Sequence, residues 1–302
     1  MKTENVYIAT LPRSGSTLVG MLLGAHSQVF HVGESAYWSK LDIHTAKCCC
    51  GEVKCKTLIK ISKNLSCFLA EVGGIYAACS IIDFIEEPNK ITHPLSLSRH
   101  ANAENVREFK SILQTCCKGL DIVADTAREV SGKNIVVENS KYIPIAEMLL
   151  KTRNNWKVLI VARDPRGAAF SSKKAGERKG VPRSVKDKLD VFLSFAQRAS
   201  LLLRQRNTFL IRYEDICRDP DQTLKAVCKF IGIEFEERML QFKENKGHLL
   251  MGNHMMYDQN QEIKEDIRWR QSLSSDEKEL FLRGDIVSAY RQIGYDLTKD
   301  TC

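Results

Sequence analysis

The sequence predicts an α/β fold in which helices flank a mainly parallel sheet. Short β-branched runs alternate with helical patterns along the chain, which is typical of βαβ units. The 302 residues, 43% of them hydrophobic, can bury the core of one large domain, which we place over residues 1–302. Between the early and the later strands, residues from about 40 to about 130 have an irregular pattern. We expect this insertion to be helical and to cap the carboxyl edge of the sheet.

The predicted elements follow from apolar runs and from helix start signals. Five short apolar runs are typical of buried strands, at residues 5–10, 29–32, 134–137, 157–162 and 208–213. The helical patterns cover residues 17–25, 103–117, 144–151, 165 onward, 189–206, 220–231 and 274–294. Proline near the first turn marks the start of three of them.

Charge and composition exclude several classes of protein. The net charge of +8 favours an anionic ligand, but the basic residues are scattered rather than grouped in the stripe that a nucleic-acid binder would show. No apolar run reaches the roughly 18 residues of a membrane span. The N-terminal residues lack a signal-peptide pattern, so we expect a cytoplasmic protein whose eleven cysteines are mostly reduced.

The loop after the first strand has the composition of an anion site. Arg13, Ser14, Gly15, Ser16 and Thr17 lie between a predicted strand and a predicted helix. Backbone N–H groups and the positive end of a helix dipole suit a phosphate there. The loop lacks the lysine of a Walker A motif, since its only cation precedes the glycine. An ordinary polar turn is the alternative interpretation.

Two further segments end strands at the same predicted edge. Arg163 follows the fourth strand, and Ser171 lies about two helical turns later. The guanidinium could bind a phosphate through two hydrogen bonds, with the serine donating a third, although a structural salt bridge or helix cap is the alternative. Lys141 ends the third strand, where a lysine is either a solvated loop residue or a charge stabiliser.

Taken together and in this order, the segments resemble a known family. They are the loop 12–18, the segment 139–141, the motif 163–167 with Ser171, the stretch 211–215 with Pro220, the segment 230–232, and finally residues 252–253 and Trp269. This set resembles the sulfotransferases that use 3′-phosphoadenosine 5′-phosphosulfate (PAPS), and it leaves out the insertion. It is more similar to the bacterial-type, carbohydrate and tyrosyl branch than to the animal cytosolic branch. The resemblance implies a P-loop-like fold, PAPS as co-substrate and no metal.

The resemblance also implies roles for the three segments. The loop from Arg13 to Thr17 would hold the 5′-phosphosulfate, and Arg163 with Ser171 would hold the 3′-phosphate. Arg13 and Lys141 would stabilise the leaving phosphate, because charge builds on the leaving oxygen in such transfers. Tyr213 matches a position that can lie against the adenine, with a core tyrosine as the alternative.

The acceptor hydroxyl needs a general base within reach. Glu34 follows a glycine after the second strand, as the base candidate does in this branch, and a structural or substrate-binding role is the alternative. His31 is the second candidate. In the tyrosyl-type enzymes the base falls one residue later, where this chain has Ser35.

These roles predict a sulfotransferase that acts on a hydroxyl of a small-molecule or carbohydrate-like acceptor, with an amine as a variant. A P-loop-type small-molecule kinase and a catalytically inactive nucleotide-binding protein are the alternatives. Homodimers are common in this superfamily, but nothing in the sequence identifies an interface.

A cysteine cluster in the insertion has no role in this prediction. Cys48, Cys49 and Cys50 are followed by Gly51 and, after three more residues, by Cys55. The spacing fits no common zinc finger, and no second cysteine pair or His-x3–5-His follows. We therefore predict a local disulfide or buried thiols rather than a metal site.

Overall fold

A computed structural model describes residues 4–35, 38, 45, 47–71, 103–244, 247–249, 254–257 and 262–299. Within these residues, five strands form one sheet in the order β2-β3-β1-β4-β5, and every pairing is parallel. The strands are β1 (Glu4–Thr10), β2 (Val29–Gly33), β3 (Ile135–Lys141), β4 (Trp156–Ala162) and β5 (Thr208–Arg212). The predicted fold class is confirmed.

The strand order places a crevice at the carboxyl edge of β1. This strand is buried along its whole length and pairs with β3 on one side and β4 on the other. From β1 the chain first runs to the β2 side of the sheet and later to the β5 side. In open parallel sheets, ligands bind where the strand order reverses in this way.

Helices connect the strands. They are α1 (Ser16–Gly24), α2 (Lys56–Glu71), α3 (Ala103–Ser131), α4 (Ile143–Thr152), α5 (Pro165–Arg178), α6 (Leu189–Leu202), α7 (Tyr213–Arg218), α8 (Pro220–Ile231), α9 (Trp269–Ser272), α10 (Ser275–Glu279) and α11 (Gly284–Arg291). Short 3-10 turns lie at Lys186–Lys188, Glu237–Met239, His254–Met256 and Leu280–Leu282. Among the described helices, none combines the length and the apolar character that a bilayer crossing requires.

Part of the insertion covers a face of the sheet. Both α1 and α3 pack against β2 and β3. The face of α3 that packs inward is apolar, and its buried residues recur at helical spacing: Leu113, Cys117, Leu120, Ala124 and Ala127. Residues 72–102 lie outside the described residues, as does the 252–253 segment of the resemblance, so the cap over the carboxyl edge stays a prediction.

Three helix predictions differ from the structure in their extent, and in one of them α3 continues to Ser131, 14 residues beyond the predicted end at residue 117. The region 274–294 does not form one helix, because Arg283 adopts an extended conformation with φ −53° and ψ 127° between Leu282 and α11. Its exposed guanidinium donates to Asp285 and to Asp190. The helix α6 ends at Leu202, four residues earlier than its pattern predicted.

Candidate active site

The loop between β1 and α1 is shaped by two residues in the left-handed region. Arg13 has φ 75° and Gly15 has φ 92°, and Gly15 is the N-cap of α1. A Cβ atom on Gly15 would lie 2.4 Å from the Tyr213 ring, so no other residue fits without displacement. The first backbone N–H groups of α1 have no partner within the helix, and they carry its positive dipole end. The loop therefore has the geometry of an anion site.

Arg163 lies at the carboxyl end of β4 and ties this loop to a distant segment. The buried guanidinium donates from Nη1 to the carbonyl of Arg13 (3.0 Å) and from Nη2 to the carbonyl of Asp266 (2.9 Å). An arginine has five N–H donors, so these two bonds leave others for an anion. The structure thus shows that Arg163 supports the loop, and its contact with a phosphate stays a prediction.

Tyr213 packs against the same loop. Its hydroxyl accepts from the backbone N–H of Asp266 (3.1 Å) and donates to the carbonyl of Lys264 (3.2 Å). The Arg163 guanidinium lies 4.3 Å from the ring centroid, and Gly15 lies against the ring edge. The ring is therefore packed within the core, and a contact with adenine stays a prediction.

Three other guanidinium groups act electrostatically on Arg13. Burial lowers the pKa of Arg13, and the positive charges of Arg178, Arg183 and Arg163 lower it further, whereas Glu34 opposes them. A field of this sign attracts a ligand with several negative charges. Arg178 and Arg183 were not among the site residues predicted from the sequence. The density of basic residues over 173–188 was the signal that could have identified them.

The motif that begins at Arg163 divides into two parts. Asp164 caps α5 by accepting from the backbone N–H of Arg166, and the two side chains form a buried ion pair with an Nη2–Oδ2 distance of 2.7 Å. The Arg166 guanidinium also lies 4.5 Å from the Trp269 ring centroid. These contacts hold the start of α5. Ser171 lies in the second turn of this helix and is partly exposed.

Glu34 and Lys141 form an ion pair where β2 and β3 end. The ammonium of Lys141 donates to Oε1 of the Glu34 carboxylate. The Glu34 side chain is only 6% exposed and the Lys141 side chain 17%. The contact arises because the two strands are neighbours in the sheet and run in parallel. The base candidate and the proposed charge stabiliser therefore meet at one point, which the sequence analysis had treated as two separate positions.

Glu138 lies beneath this pair, and the sequence analysis did not identify it. Its fully buried carboxylate accepts from the backbone N–H and the hydroxyl of both Ser35 and Ser140. These serines adjoin Glu34 and Lys141, so the carboxylate fixes the backbone beside the ion pair. Burial raises the pKa of Glu138 to about 7, although the hydrogen bonds from the serines favour the ionised form.

We expect Glu138 to make stability depend on pH. Between the unfolded value of 4.5 and about 7, the folded protein holds a proton that the unfolded chain has released, so stability falls as pH rises through this window. The difference corresponds to about 3 kcal/mol at neutral pH. Urea unfolding between pH 5 and 8 would measure this loss, which Glu138→Gln should remove. The exposed Glu177→Gln should keep the wild-type slope, and equal slopes in all three proteins would contradict the prediction.

His31 lies away from the ion pair, in the core behind α1. Its ring packs against Gly20 and Gly24, and neither ring nitrogen has a hydrogen-bond partner among the described residues. Burial lowers its pKa to about 3, which makes the imidazole a weak base. The structure does not bring His31 to the site, so we omit it from the mechanism.

Comparison with protein families identifies the chain. The profile of the sulfotransferase domain matches residues 3–281. The chain belongs to the sulfotransferase family. The predicted family is thus confirmed, and sulfuryl transfer is its general activity, while the narrower branch assignment stays a prediction. A comparison with curated protein sequences returns no match.

Solved sulfotransferase structures are similar to this sulfotransferase along nearly its whole length. The sulfotransferase domain of an olefin synthase from Synechococcus PCC 7002 has a TM-score of 0.50 and 16% identity, covering 98% of this chain and 97% of that one. A sulfotransferase domain from the curacin biosynthetic pathway has a TM-score of 0.49 and 18% identity, covering 94% and 97%. A mouse sulfotransferase complexed with PAP has a TM-score of 0.48 and 10% identity, covering 95% and 84%. At these identities the first comparison supports the fold alone.

Proposed function

We propose that this sulfotransferase transfers the sulfuryl group of PAPS to a hydroxyl group of a small-molecule or carbohydrate-like acceptor. One observation carries the proposal. The anion loop at the N-terminus of α1, with Arg13 and three further guanidinium groups, shares an edge of the sheet with the Glu34–Lys141 ion pair. A nucleotide with a 3′-phosphate and a 5′-phosphosulfate needs the anion loop and its cations. Sulfuryl transfer needs a base and a cation such as those of the Glu34–Lys141 ion pair.

The nucleotide would lie across the carboxyl ends of β1 and β4. The loop from Arg13 to Thr17 would bind the 5′-phosphosulfate through backbone N–H groups and the helix dipole. The 3′-phosphate would lie near Arg163 and Ser171, which follow β4. Because Arg163 also binds the carbonyl of Arg13, it would link the two phosphate sites.

The acceptor would react beside the ion pair. The Glu34 carboxylate would take the proton of the acceptor hydroxyl, and the oxygen would attack sulfur in line with the leaving phosphate. The bond between sulfur and the acceptor oxygen forms as the bond between sulfur and the phosphate oxygen breaks. The desulfated nucleotide, 3′-phosphoadenosine 5′-phosphate (PAP), leaves with the electron pair of the broken bond. Lys141 and Arg13 would neutralise the charge that builds on the leaving oxygen. Protein cations supply this stabilisation, so the proposed step uses no metal ion.

Glu34 and Lys141 would also hold each other ready for the reaction. A buried charge without a partner is costly, and their pairing offsets this cost before the substrates bind. When the phosphosulfate arrives, an ammonium group has three donors and can contact both the carboxylate and the leaving oxygen. The pair would therefore position the base toward the side from which the acceptor approaches.

Thermal unfolding with different nucleotides tests the proposal. PAP, the desulfated product, should stabilise the protein by about 2.7 kcal/mol when present at 100 times its dissociation constant. AMP lacks the 3′-phosphate, so at the same concentration it should stabilise the protein much less. Stabilisation by ATP with Mg²⁺ but not by PAP would instead support a small-molecule kinase, and no effect of any nucleotide would support an inactive relative.

A further inference from the structure

Outside the candidate active site, four side chains of the types that usually bind zinc lie close together. The Sγ atoms of Cys48, Cys50 and Cys55 and a ring nitrogen of His248 all lie within 4.8 Å of one another. We propose that these four side chains bind one structural zinc ion. The proposal does not depend on the substrate of the enzyme, and it replaces the expectation that the protein uses no metal.

The distances suit a tetrahedral site. Zn–S bonds of about 2.3 Å and Zn–N bonds of about 2.0 Å place neighbouring ligand atoms roughly 3.5–3.8 Å apart. In the structure, Nδ1 of His248 lies 3.3 Å from Sγ of Cys55 and 3.9 Å from Sγ of Cys48. Only small movements of the side chains would be needed to bring the ligands to a central ion.

Backbone hydrogen bonds within the cysteine loop accompany the close approach of the three thiols. The N–H of Cys48 donates to the carbonyl of Glu52 (2.9 Å), and the N–H of Gly51 donates to the carbonyl of Cys48 (2.9 Å). Gly51 has φ 97°, a conformation that favours glycine at this turn. Cys55 directly precedes α2.

Cys49, which is not a ligand in the proposal, joins the loop to the segment that carries the histidine. Its backbone N–H donates to the carbonyl of Leu249 (2.9 Å), and its thiol donates to the carbonyl of Gly247 (3.1 Å). The His248 ring also stacks on Phe30 of β2, with the centroids 6.1 Å apart. Protein contacts thus bring both segments together, so the four ligands are arranged before any ion binds.

The donor set favours zinc among the metals available to proteins. Three thiolates and one imidazole are soft ligands in a closed four-coordinate arrangement, the pattern of structural zinc sites. Binding releases the thiol protons and involves no oxidation or reduction. Cys48, Cys49 and Cys55 are buried free thiols in the structure, and Cys50 is an exposed free thiol.

The ion would fasten part of the insertion to the body of the protein. It would link the segment that leads into α2 with residue 248, which lies 193 residues after Cys55. A crosslink between positions so far apart in sequence restricts the unfolded chain strongly. Because His248 contacts β2, the same link would stabilise the strand that ends beside Glu34.

Metal analysis of the full-length protein tests the proposal. We expect one zinc ion per chain after purification, or after reduction, chelation and addition of zinc alone. Cobalt(II) added to the chelated protein should give the visible absorption of a tetrahedral thiolate site. Cys55→Ser and His248→Ala should lose both signals, whereas His248→Cys should retain metal through four thiolates. Cys67→Ser, which changes an exposed cysteine of α2, should bind zinc like the wild type.

Measurements on the wild type keep the test decisive if a variant fails to fold. Native mass spectrometry should show the chain heavier by one zinc, and chelation should lower the unfolding temperature. All eleven cysteines should then react as thiols in denaturant. A reduced protein that takes up neither zinc nor cobalt would overturn the proposal. So would a disulfide within the cluster, which would leave two thiols fewer, or unchanged metal binding in a folded Cys55→Ser protein.

Discussion

Glu34→Gln is expected to slow turnover by on the order of 100-fold or more, because glutamine cannot take the proton of the acceptor hydroxyl. The affinity for PAP should not fall. The substitution leaves the ammonium of Lys141 without its carboxylate partner, and an unpaired cation attracts the phosphates of the nucleotide. Steady-state kinetics with a sulfated product assay would give the turnover, and calorimetric titration with PAP would give the affinity.

Two further variants serve as a partial rescue and as a control for Glu34→Gln. Glu34→Asp keeps a carboxylate on a shorter side chain, so it should recover part of the lost turnover. Glu177→Gln removes an exposed carboxylate of α5 and should behave like the wild type. Near-normal turnover in Glu34→Gln would mean that another group is the base, and a loss of PAP affinity would mean that Glu34 acts mainly by holding the site together.

Arg163→Ala should weaken PAP binding by at least about 30-fold, since truncation of one partner of a buried, hydrogen-bonded charge pair costs on the order of 2–5 kcal/mol. The loss would have two physical sources. The variant lacks a cation for the 3′-phosphate, and it lacks the bonds that join the carbonyls of Arg13 and Asp266. Calorimetric titration with PAP measures the change, with the unfolding temperature as a check on folding.

A lysine at the same position separates these two sources. Arg163→Lys retains the charge, but a compact ammonium does not reproduce the planar fork that reaches both carbonyls. Recovery of affinity in this variant would indicate that charge dominates, and failure to recover would indicate that support of the loop dominates. Arg218→Ala, at an exposed arginine of α7, should bind PAP normally. Unchanged affinity in Arg163→Ala would remove Arg163 from the nucleotide site.

Local patterns in the sequence predicted most of the secondary structure. The run before Leu11 and the run before Arg163 are strands because parallel strands buried on both faces are continuously apolar. The break at Arg283 escaped prediction, since the residues on either side of it continue a helical pattern. Arg283 pairs with Asp285, two residues later, and with Asp190, 93 residues earlier, and only the second partner lies outside a local window.

The sequence predicted several residues of the candidate site but not how they are arranged. Arg13, Arg163 and Lys141 could be placed at one edge, because the carboxyl ends of parallel strands meet there. The role of His31 could not be decided, because a histidine in a strand faces either a cleft or the core according to the register. Here its ring packs against the glycines of α1.

The sequence by itself determined the fold class and the family and predicted an anion site at one edge of the sheet, because strand and helix periodicity and loop composition depend on neighbouring residues. Only the tertiary structure decided that Glu34 pairs with Lys141, that Glu138 holds the backbone beside them, and that His248 lies beside three cysteines 193 to 200 residues before it. Such contacts form between residues that the folded core brings together, and no local pattern encodes the distance between them.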